Sequence, residues 1–254
     1  MLRKEEILMS QYEEFAYIYD ELINSDIDYK KWADKILEIC EKLNLERNDY
    51  LDLACGTGNM TLELSRYFKN TWAVDLSSQM LTKAEEKLRA LKIKAKFICQ
   101  DISKLNLNRK FDLITCCLDS TNYIIEENDL NAYFNSVYNH LKNNGIFIFD
   151  INSYYKLINI LGNNTFTFDN DNVVYIWDNF TENDIVQMNL IFFIKEDNLY
   201  KRFDEEHIEK AYTTNYLDNL LKNIGFKIVE KLNNYENLPI DDECERIVYV
   251  LKKN

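Results

Sequence analysis

The chain has 254 residues, of which 46% are hydrophobic, and its formal net charge is −13 at pH 7. This length allows one large domain or a domain with a sizeable insertion. The negative charge argues against unaided binding to nucleic acid, which requires a basic surface. No apolar run approaches the ~20 residues of a membrane span, and the first residues lack the apolar segment of a signal peptide. We therefore expect a cytoplasmic protein with neither nucleic acid nor membrane among its partners.

The cysteines indicate neither disulfides nor a metal site. They stand at positions 40, 55, 99, 116, 117 and 244, without a C-x-x-C pair. Most lie inside apolar runs, which is typical of small buried hydrophobic side chains rather than zinc ligands. No metal is expected.

Two amphipathic helices are predicted before the first strand, over residues 5–24 and 27–45. Both segments repeat apolar side chains at helical spacing. Three aromatic residues of this region, Tyr12, Tyr19 and Trp32, have two open interpretations. They either close over a ligand or form the ordinary core of a helical hairpin.

The stretch YLDLACGTGNMT, residues 50–61, is the most informative part of the chain. An apolar run ends in small residues, which predicts a buried strand followed by a tight turn and a helix over about residues 59–67. Two of the five glycines of the chain, Gly56 and Gly58, stand in this turn, where they allow positive φ or a close approach of the backbone. The free N–H groups of the helix would face a small ligand.

The same stretch narrows the kind of ligand. A dinucleotide fingerprint would need a third glycine at position 61, which is Thr61, and no Gly-Lys-Ser/Thr of a P-loop follows. Asp75 ends the next predicted strand, TWAVDL, 19 residues beyond Gly56. An acid there can accept both ribose hydroxyls, in NAD enzymes as in others. A ribose is therefore expected, without a choice of cofactor.

From Tyr50 onward apolar runs alternate with helical segments, which predicts a parallel sheet. After the first strand at about residues 50–55, further strands are expected at 71–76, 95–100 and 111–118, and a fifth strand follows Gly145 in the stretch LKNNGIFIFDIN. Ser77 or Ser78 would cap a helix that runs to about Leu91, and a helix over 126–142 would stop at Gly145. The loop after the fourth strand emerges at the carboxyl end of the sheet, where ligands of open α/β sheets bind.

Residues 153–206 depart from this alternation of strands and helices. Aromatic and β-branched runs separated by Asn/Asp clusters predict an antiparallel insertion of three to five strands over the carboxyl end of the main sheet. A sheet of this size is too small to fold alone. A helix over 214–223 that ends at Gly225 and two last strands complete the chain.

Asp52, Ala54, Gly56 and Gly58 resemble motif I, acid-x-G-x-G-x-G, of the class I S-adenosylmethionine-dependent methyltransferases, with alanine in place of the first glycine. The resemblance implies an α/β, Rossmann-like, seven-stranded mostly parallel sheet with helices on both faces, an N-terminal helical cap and a small inserted antiparallel β-sheet. The cofactor-binding domain would comprise residues 1–152 and 207–254, with the cap at 1–48. Residues 153–206 would form a lid and substrate subdomain.

The resemblance also implies S-adenosylmethionine as the cofactor and a small-molecule methyl acceptor as the partner, in a monomer or dimer. It assigns cofactor-binding roles to Tyr19, Trp32, Asp52, Ala54, Cys55, Gly56, Gly58, Asp75, Leu76, Met80, Asp101, Ile102, Cys117 and Leu118. It assigns substrate contacts to Tyr12, Asn122 and Tyr123. For two further residues of this set a purely structural role is also open: Met80 could pack the core, and Asp101 could be an N-cap.

Methyl transfer needs few catalytic side chains, because in-line approach of the acceptor and exclusion of water supply most of the rate enhancement. The candidates are His207 as a base and Asp119 beside it. With Glu205 and Glu206 they would attract a protonated amine, or a hydroxyl would serve as the acceptor. A structural role for His207 is equally open, and His140 is expected to be an inert surface or capping residue. The alternatives to an enzyme of this class are a non-catalytic S-adenosylmethionine-binding module and an NAD(P) oxidoreductase.

Overall fold

The computed structural model describes residues 27–253. The strands of the main sheet are β1 (Asp49–Leu53), β2 (Asn70–Asp75), β3 (Lys96–Cys99), β4 (Phe111–Cys116), β5 (Leu141–Asn152), β10 (Phe226–Asn233) and β11 (Arg246–Lys253). Those of the inserted sheet are β6 (Thr165–Asp169), β7 (Val173–Glu182), β8 (Ile185–Glu196) and β9 (Leu199–Lys210). The α-helices are α1 (Tyr29–Lys42), α2 (Asn59–Ser65), α3 (Ser78–Ala90), α4 (Glu127–His140) and α5 (Thr214–Ile224).

The main sheet has the strand order β10-β11-β5-β4-β1-β2-β3. Strands β1 to β5 pair in parallel, whereas β11 is antiparallel to β5 and β10 is antiparallel to β11. Strand β1 therefore lies in the middle of the sheet, β2 and β3 extend the sheet to one edge, and β4 pairs with the other side of β1. The crevice between β1 and β4 is the point where ligands bind in open α/β sheets. This architecture confirms the predicted fold class.

Helices cover both faces of this sheet, and the strand residues alternate between the two layers. Leu51, Phe147 and Tyr249 face a core built with α4 and α5. Their neighbours Tyr50 and Ile148 face a second core built with α1 and α2. Burial on both faces explains why the central strands are almost continuously hydrophobic in sequence.

The helix ends follow local side-chain chemistry. Asp28, Ser77 and Thr213 each accept a hydrogen bond from a backbone N–H in the first turn of the following helix. Gly225, with φ of 112°, ends α5 in a left-handed conformation that glycine adopts without strain. The expected cap at Ser77 and the expected end at Gly225 are confirmed.

Two details predicted from the sequence were wrong. Helix α4 ends at His140, and the positive φ that follows belongs to Asn144, at 64°, rather than to Gly145. Asparagine tolerates this region because its short polar side chain bonds locally. His140 is buried rather than exposed: its Nε2 accepts the N–H of Leu107 at 2.9 Å, and its Nδ1 lies 2.7 Å from the carbonyl of Ser136.

The four strands β6 to β9 form one antiparallel sheet in the order β6-β7-β8-β9, here named the lid sheet. Strand β9 continues to Lys210, past the expected end of the insertion at residue 206. One end of the lid sheet packs through Phe192 on Met80 of α3. The other end packs through Met188 on Leu157 of the π-helical turn Lys156–Leu161. The lid sheet is thus fastened to the main domain at both ends.

The cysteines of the described chain are free, and Cys99 is exposed whereas Cys40, Cys116, Cys117 and Cys244 are buried. None of the helices within residues 27–253 is long and apolar enough to cross a membrane. The predicted helix over residues 5–24 lies outside the described residues, as do Tyr12 and Tyr19.

Candidate functional site

The turn after β1 combines three residues with positive φ, at Ala54 (51°), Gly56 (53°) and Gly58 (80°). A Cβ added to Gly58 would lie 2.9 Å from the Cβ of Ala84, so glycine is required there for α3 to pack on the turn. A Cβ added to Gly56 would have no heavy atom within 4 Å. The two glycines therefore do different things: Gly58 holds the helix close, and Gly56 leaves room for a ligand beside the backbone.

Asp52 stabilises this turn through buried hydrogen bonds. Its carboxylate is buried and accepts hydrogen bonds from Thr61 Oγ1 at 2.5 Å and from Thr115 Oγ1 at 2.8 Å. Burial raises the pKa of Asp52 to about 6, against the lowering effect of these hydroxyls. Thr61, which replaces the third glycine of a dinucleotide fingerprint, is therefore part of the scaffold that positions the turn.

Asp75 joins the ends of β1 and β2. Its carboxylate accepts the N–H of Gly56 and the N–H of Ser77, each at 2.8 Å. Each carboxylate oxygen has a further lone pair and can accept a ribose hydroxyl as well. Burial raises the pKa of Asp75. Leu76, the next residue, is largely exposed beside it.

The residues at the end of β3 have a local partner. Asp101 Oδ1 accepts both the N–H and the hydroxyl of Ser103, at 2.8 and 2.7 Å. Asp101 is therefore the N-cap of the 3-10 turn Ile102–Lys104. Its other oxygen, 3.5 Å from Lys104 Nζ, remains available to an adenine amino group.

A buried charged cluster lies where β4 and β5 end and β11 begins. Arg246 donates to Asp150 and, at 2.7 Å, to Asp119 Oδ1. Its guanidinium carbon lies 5.3 Å from the ring centroid of Trp32. Trp32 in turn stacks on Tyr235 with a centroid distance of 4.4 Å, and the Tyr235 hydroxyl donates to Asp150 at 2.7 Å. Both predicted residues in this cluster, Trp32 and Asp119, are thus engaged with Arg246.

The loop after β4 is held by the same cluster. Leu118 and Asp119 have consecutive positive φ values of 61° and 51°. Their N–H groups both donate to Asp150, each at 2.8 Å. Cys117 is buried next to them and lies 3.2 Å from the Tyr235 hydroxyl. The loop predicted to line the cofactor is therefore rigid.

Asn122 ties the loop after β4 to the lid sheet. Its side-chain amide donates to the carbonyls of Asn152 and Lys210, at 3.2 and 3.0 Å, and its Oδ1 accepts the N–H of Asn152 at 3.0 Å. Asn152 Nδ2 donates to Glu209 Oε2 at 2.9 Å. Both amide hydrogens of Asn122 are engaged, so these contacts connect β5, β9 and the loop. The predicted substrate contact of Asn122 stays a prediction.

Strand β9 brings three titratable side chains to the inner face of the lid sheet, at positions 205, 207 and 209. His207 Nδ1 lies 3.4 Å from the hydroxyl of the half-exposed Tyr123. Burial lowers the pKa of His207 to about 4, although Asp119 raises it. Burial raises the pKa of Glu205 to about 7 and that of Glu209 to about 8. At neutral pH the imidazole is therefore neutral, and the site is less acidic than the sequence indicates.

Several residues at this site were not predicted from the sequence, namely Asp150, Glu209, Tyr235 and Arg246. Asp150 and Arg246 lie in strands whose buried character was expected, but their pairing spans 96 residues. A charged residue inside an otherwise apolar strand was the available signal, because such groups are rarely buried unless paired.

Comparisons with known proteins agree with this geometry. Residues 51–145 match the family described as methyltransferase domain. A putative methyltransferase of Bacillus subtilis is 30% identical over 96% of this chain and 97% of its own length. A crystal structure of an S-adenosylmethionine-dependent methyltransferase from Clostridium acetobutylicum shares 56% identity at a TM-score of 0.91, covering 95% of this chain and 98% of that one. The chain therefore belongs to the class I S-adenosylmethionine-dependent methyltransferases, as the resemblance in motif I indicates.

Proposed function

We propose that this enzyme methylates an amine or a hydroxyl of a small molecule that binds between the lid sheet and the crevice of β1 and β4. The observation that carries the proposal is the attachment of the lid sheet at both ends, which sets the polar inner face of β9 opposite the carboxyl end of the main sheet. A curated relative in Streptomyces venezuelae, 28% identical over 48% of this chain and 49% of that protein, is a dTDP-3-amino-3,4,6-trideoxy-alpha-D-glucopyranose N,N-dimethyltransferase. Its name supports an amine acceptor.

The residues of the turn fit the methyl donor. Bound there, the donor would occupy the open side of Gly56, its ribose hydroxyls would donate to Asp75, and its amino group would donate to the carbonyl of Ala54. When bound, S-adenosylmethionine supplies a methyl group on a sulfonium, which is a good leaving centre. The task of the chain is to align the acceptor and to exclude water, which accounts for most of the rate effect in such transfers.

Proton removal is the remaining requirement for an amine acceptor. His207 was the expected base, with Asp119 beside it. Because the pKa of His207 lies at about 4, a base role predicts an acidic limb of kcat/KM near that value rather than near the ~6.5 of a free imidazole. His207→Gln should then remove this limb and lower kcat/KM about 100-fold. A variant that keeps both rate and profile assigns His207 a structural role.

The proposal is tested first by binding and then by transfer. Calorimetry should show binding of S-adenosylmethionine and S-adenosylhomocysteine and none of NAD, since the turn lacks the third glycine. Transfer of a radiolabelled methyl group to a mixture of amines and amino sugars separates an enzyme from a binding module. Binding of NAD instead of S-adenosylhomocysteine would contradict the proposal.

The lid sheet is tested separately. Replacement of residues 165–210 by a short linker should preserve S-adenosylhomocysteine binding, because the turn after β1 and Asp75 remain, but should abolish transfer. Normal transfer by this variant would show that the lid sheet is not a wall of the acceptor site.

A further inference from the structure

Glu205 is a buried carboxyl group, one oxygen of which has no hydrogen-bond partner within residues 27–253. Its relative exposure is 3%, and its Oε1 has no hydrogen bond among the residues that the structure describes. Leaving a buried polar atom unpaired costs about 1–3 kcal/mol, more if it is charged. Such an atom in a native protein requires an explanation, and an absent ligand is one.

The path of β9 across the main sheet locates Glu205. Glu209 contacts Asn152, which ends β5, and His207 lies against Tyr123, which follows β4. At the other end, Phe203 stacks on Phe192, which packs on Met80 in the helix after β2.

Strands β5, β4, β1 and β2 are neighbours in that order. Residues 209, 207 and 203 of β9 therefore lie opposite the ends of β5, β4 and β2, respectively. Glu205 lies between His207 and Phe203, at the level of β1 and its glycine turn. The spacings agree, since four residues of β9 cover about 13 Å and two strand intervals cover about 10 Å.

Trp177 is the counterpart of Glu205 on β7. Leu190 pairs with Trp177 on one side and with Glu205 on the other, so the three side chains share the inner face of the lid sheet. The indole Nε1 of Trp177 is also buried without a hydrogen bond within the described part of the chain. An unpaired donor thus accompanies an unpaired acceptor, with their backbones about 10 Å apart.

We propose that Glu205 binds the ammonium group of the acceptor and takes its proton, while Trp177 donates a hydrogen bond to an oxygen of the same molecule. This inference rests on the proposed function and defines the acceptor as an amine with a nearby hydroxyl or ether oxygen. The ammonium proton moves to Glu205 Oε1, and the freed nitrogen lone pair forms the new N–C bond. The electron pair of the broken S–C bond stays on the sulfur of the donor.

Glu205 suits this step better than His207. A general base works best when its pKa lies near the operating pH. Burial raises the pKa of Glu205 to about 7, whereas burial lowers the pKa of His207 to about 4. His207 then lies beside the reacting nitrogen as a neutral group.

The first test is carbon NMR of glutamate-labelled protein in its complex with S-adenosylhomocysteine, with Glu205→Gln to assign the resonance. The probe is ethylammonium chloride, with sodium chloride of equal ionic strength as the reference. A bound cation should lower the pKa of Glu205 on the order of one unit or more. Glu206→Gln is the matched control, because Glu206 is exposed on the opposite face and bonds to Gln187.

The second test concerns Trp177. Wild-type protein should bind ethanolammonium more tightly than ethylammonium, and Trp177→Phe should remove most of this preference, roughly tenfold for one hydrogen bond. An unchanged Glu205 resonance in ethylammonium, with S-adenosylhomocysteine still bound, overturns the role of Glu205. Equal binding of both amines by wild type overturns the role of Trp177. Failure to bind S-adenosylhomocysteine would instead contradict the proposed function itself.

Discussion

The two sides of the crevice are built in different ways. The donor side, around Gly56 and Asp75, uses residues close together in the chain, and its backbone and carboxylate groups satisfy one another. The acceptor side, around Glu205 and Arg246, gathers residues from β4, β5, β9 and β11 and leaves buried polar atoms unpaired. The polar groups of the donor side are therefore hydrogen-bonded before a ligand binds. If the acceptor binds as proposed, this side carries the specificity, because a ligand that fails to pair its buried groups is rejected.

Arg246→Met should have the largest effect, because it disrupts the cluster that holds the acceptor side and the loop after β4. Breaking a buried ion pair leaves Asp150 with an uncompensated charge, which destabilises a protein by about 3–5 kcal/mol. Urea unfolding measures this loss. Arg202→Met is the control, because the pair of Arg202 with Asp204 is exposed and should contribute less than about 1 kcal/mol. Equal midpoints for both variants would show that the cluster does not hold the acceptor side.

Substitutions of the two glycines should distinguish the packing role of Gly58 from the ligand-binding role of Gly56 on the donor side. Gly58→Val adds a left-handed non-glycine residue and overpacks Ala84, so we expect a loss of about 2–4 kcal/mol in the free energy of unfolding. Gly56→Ala meets no protein atom and should lose only about 1–2 kcal/mol from backbone strain. Its affinity for S-adenosylhomocysteine should nevertheless fall, because the methyl group enters the open space. Unchanged affinity in calorimetry would place the ligand elsewhere.

Asp75→Ala should weaken S-adenosylhomocysteine binding tenfold or more. Each charge-assisted hydrogen bond to a ribose hydroxyl contributes about 1.5–3 kcal/mol. Asp101→Ala should weaken binding less, because Asp101 would accept only the adenine amino group, with the oxygen that Ser103 does not use, whereas Asp75 would accept two ribose hydroxyls. Calorimetry on both variants would contradict this ranking if Asp101 proved the more important acid.

Glu209 should make the stability of the acceptor side depend on pH. Burial foremost, and Asp119 second, raise its pKa from an ordinary 4.5 to about 8, against the opposing effects of Asn152, Lys156 and Arg246. Between these values the folded state binds more protons than the unfolded state, so stability falls as pH rises.

The neutral Glu209→Gln variant should lack this pH dependence. Its free energy of unfolding relative to wild type should therefore rise by about 1 kcal/mol or more from a pH below 4.5 to a pH near 8. Thermal melting at both pH values measures the gain. Glu206→Gln, on the exposed face of β9, should change this difference little. A constant difference between Glu209→Gln and wild type would show that folding does not shift the pKa of Glu209.

The contrast between the two sides also explains what could be predicted from the sequence. The strands of the parallel sheet, Gly56, Gly58 and Asp75 could be identified because each depends on neighbours within one βα unit. The partner of Asp119 could not, because Arg246 is 127 residues away. The alternation in EEHIEK could have indicated a continuing strand, but its inward residues are polar, and only packing against β5 and the loop after β4 shows which face is buried. The surface position expected for His140 was wrong for the same reason, since its partner Leu107 belongs to a distant loop.

The paired left-handed residues Leu118 and Asp119 have one more consequence. Each costs about 1–2 kcal/mol in backbone energy, and the surrounding contacts with Asp150 must compensate. The loop is therefore ordered before any ligand binds, so little conformational entropy is lost when the acceptor arrives. If the acceptor binds against this loop as proposed, the loop selects substrates by shape rather than by conformational adjustment, and the enzyme should discriminate sharply between acceptors that differ by one substituent near the methylated atom.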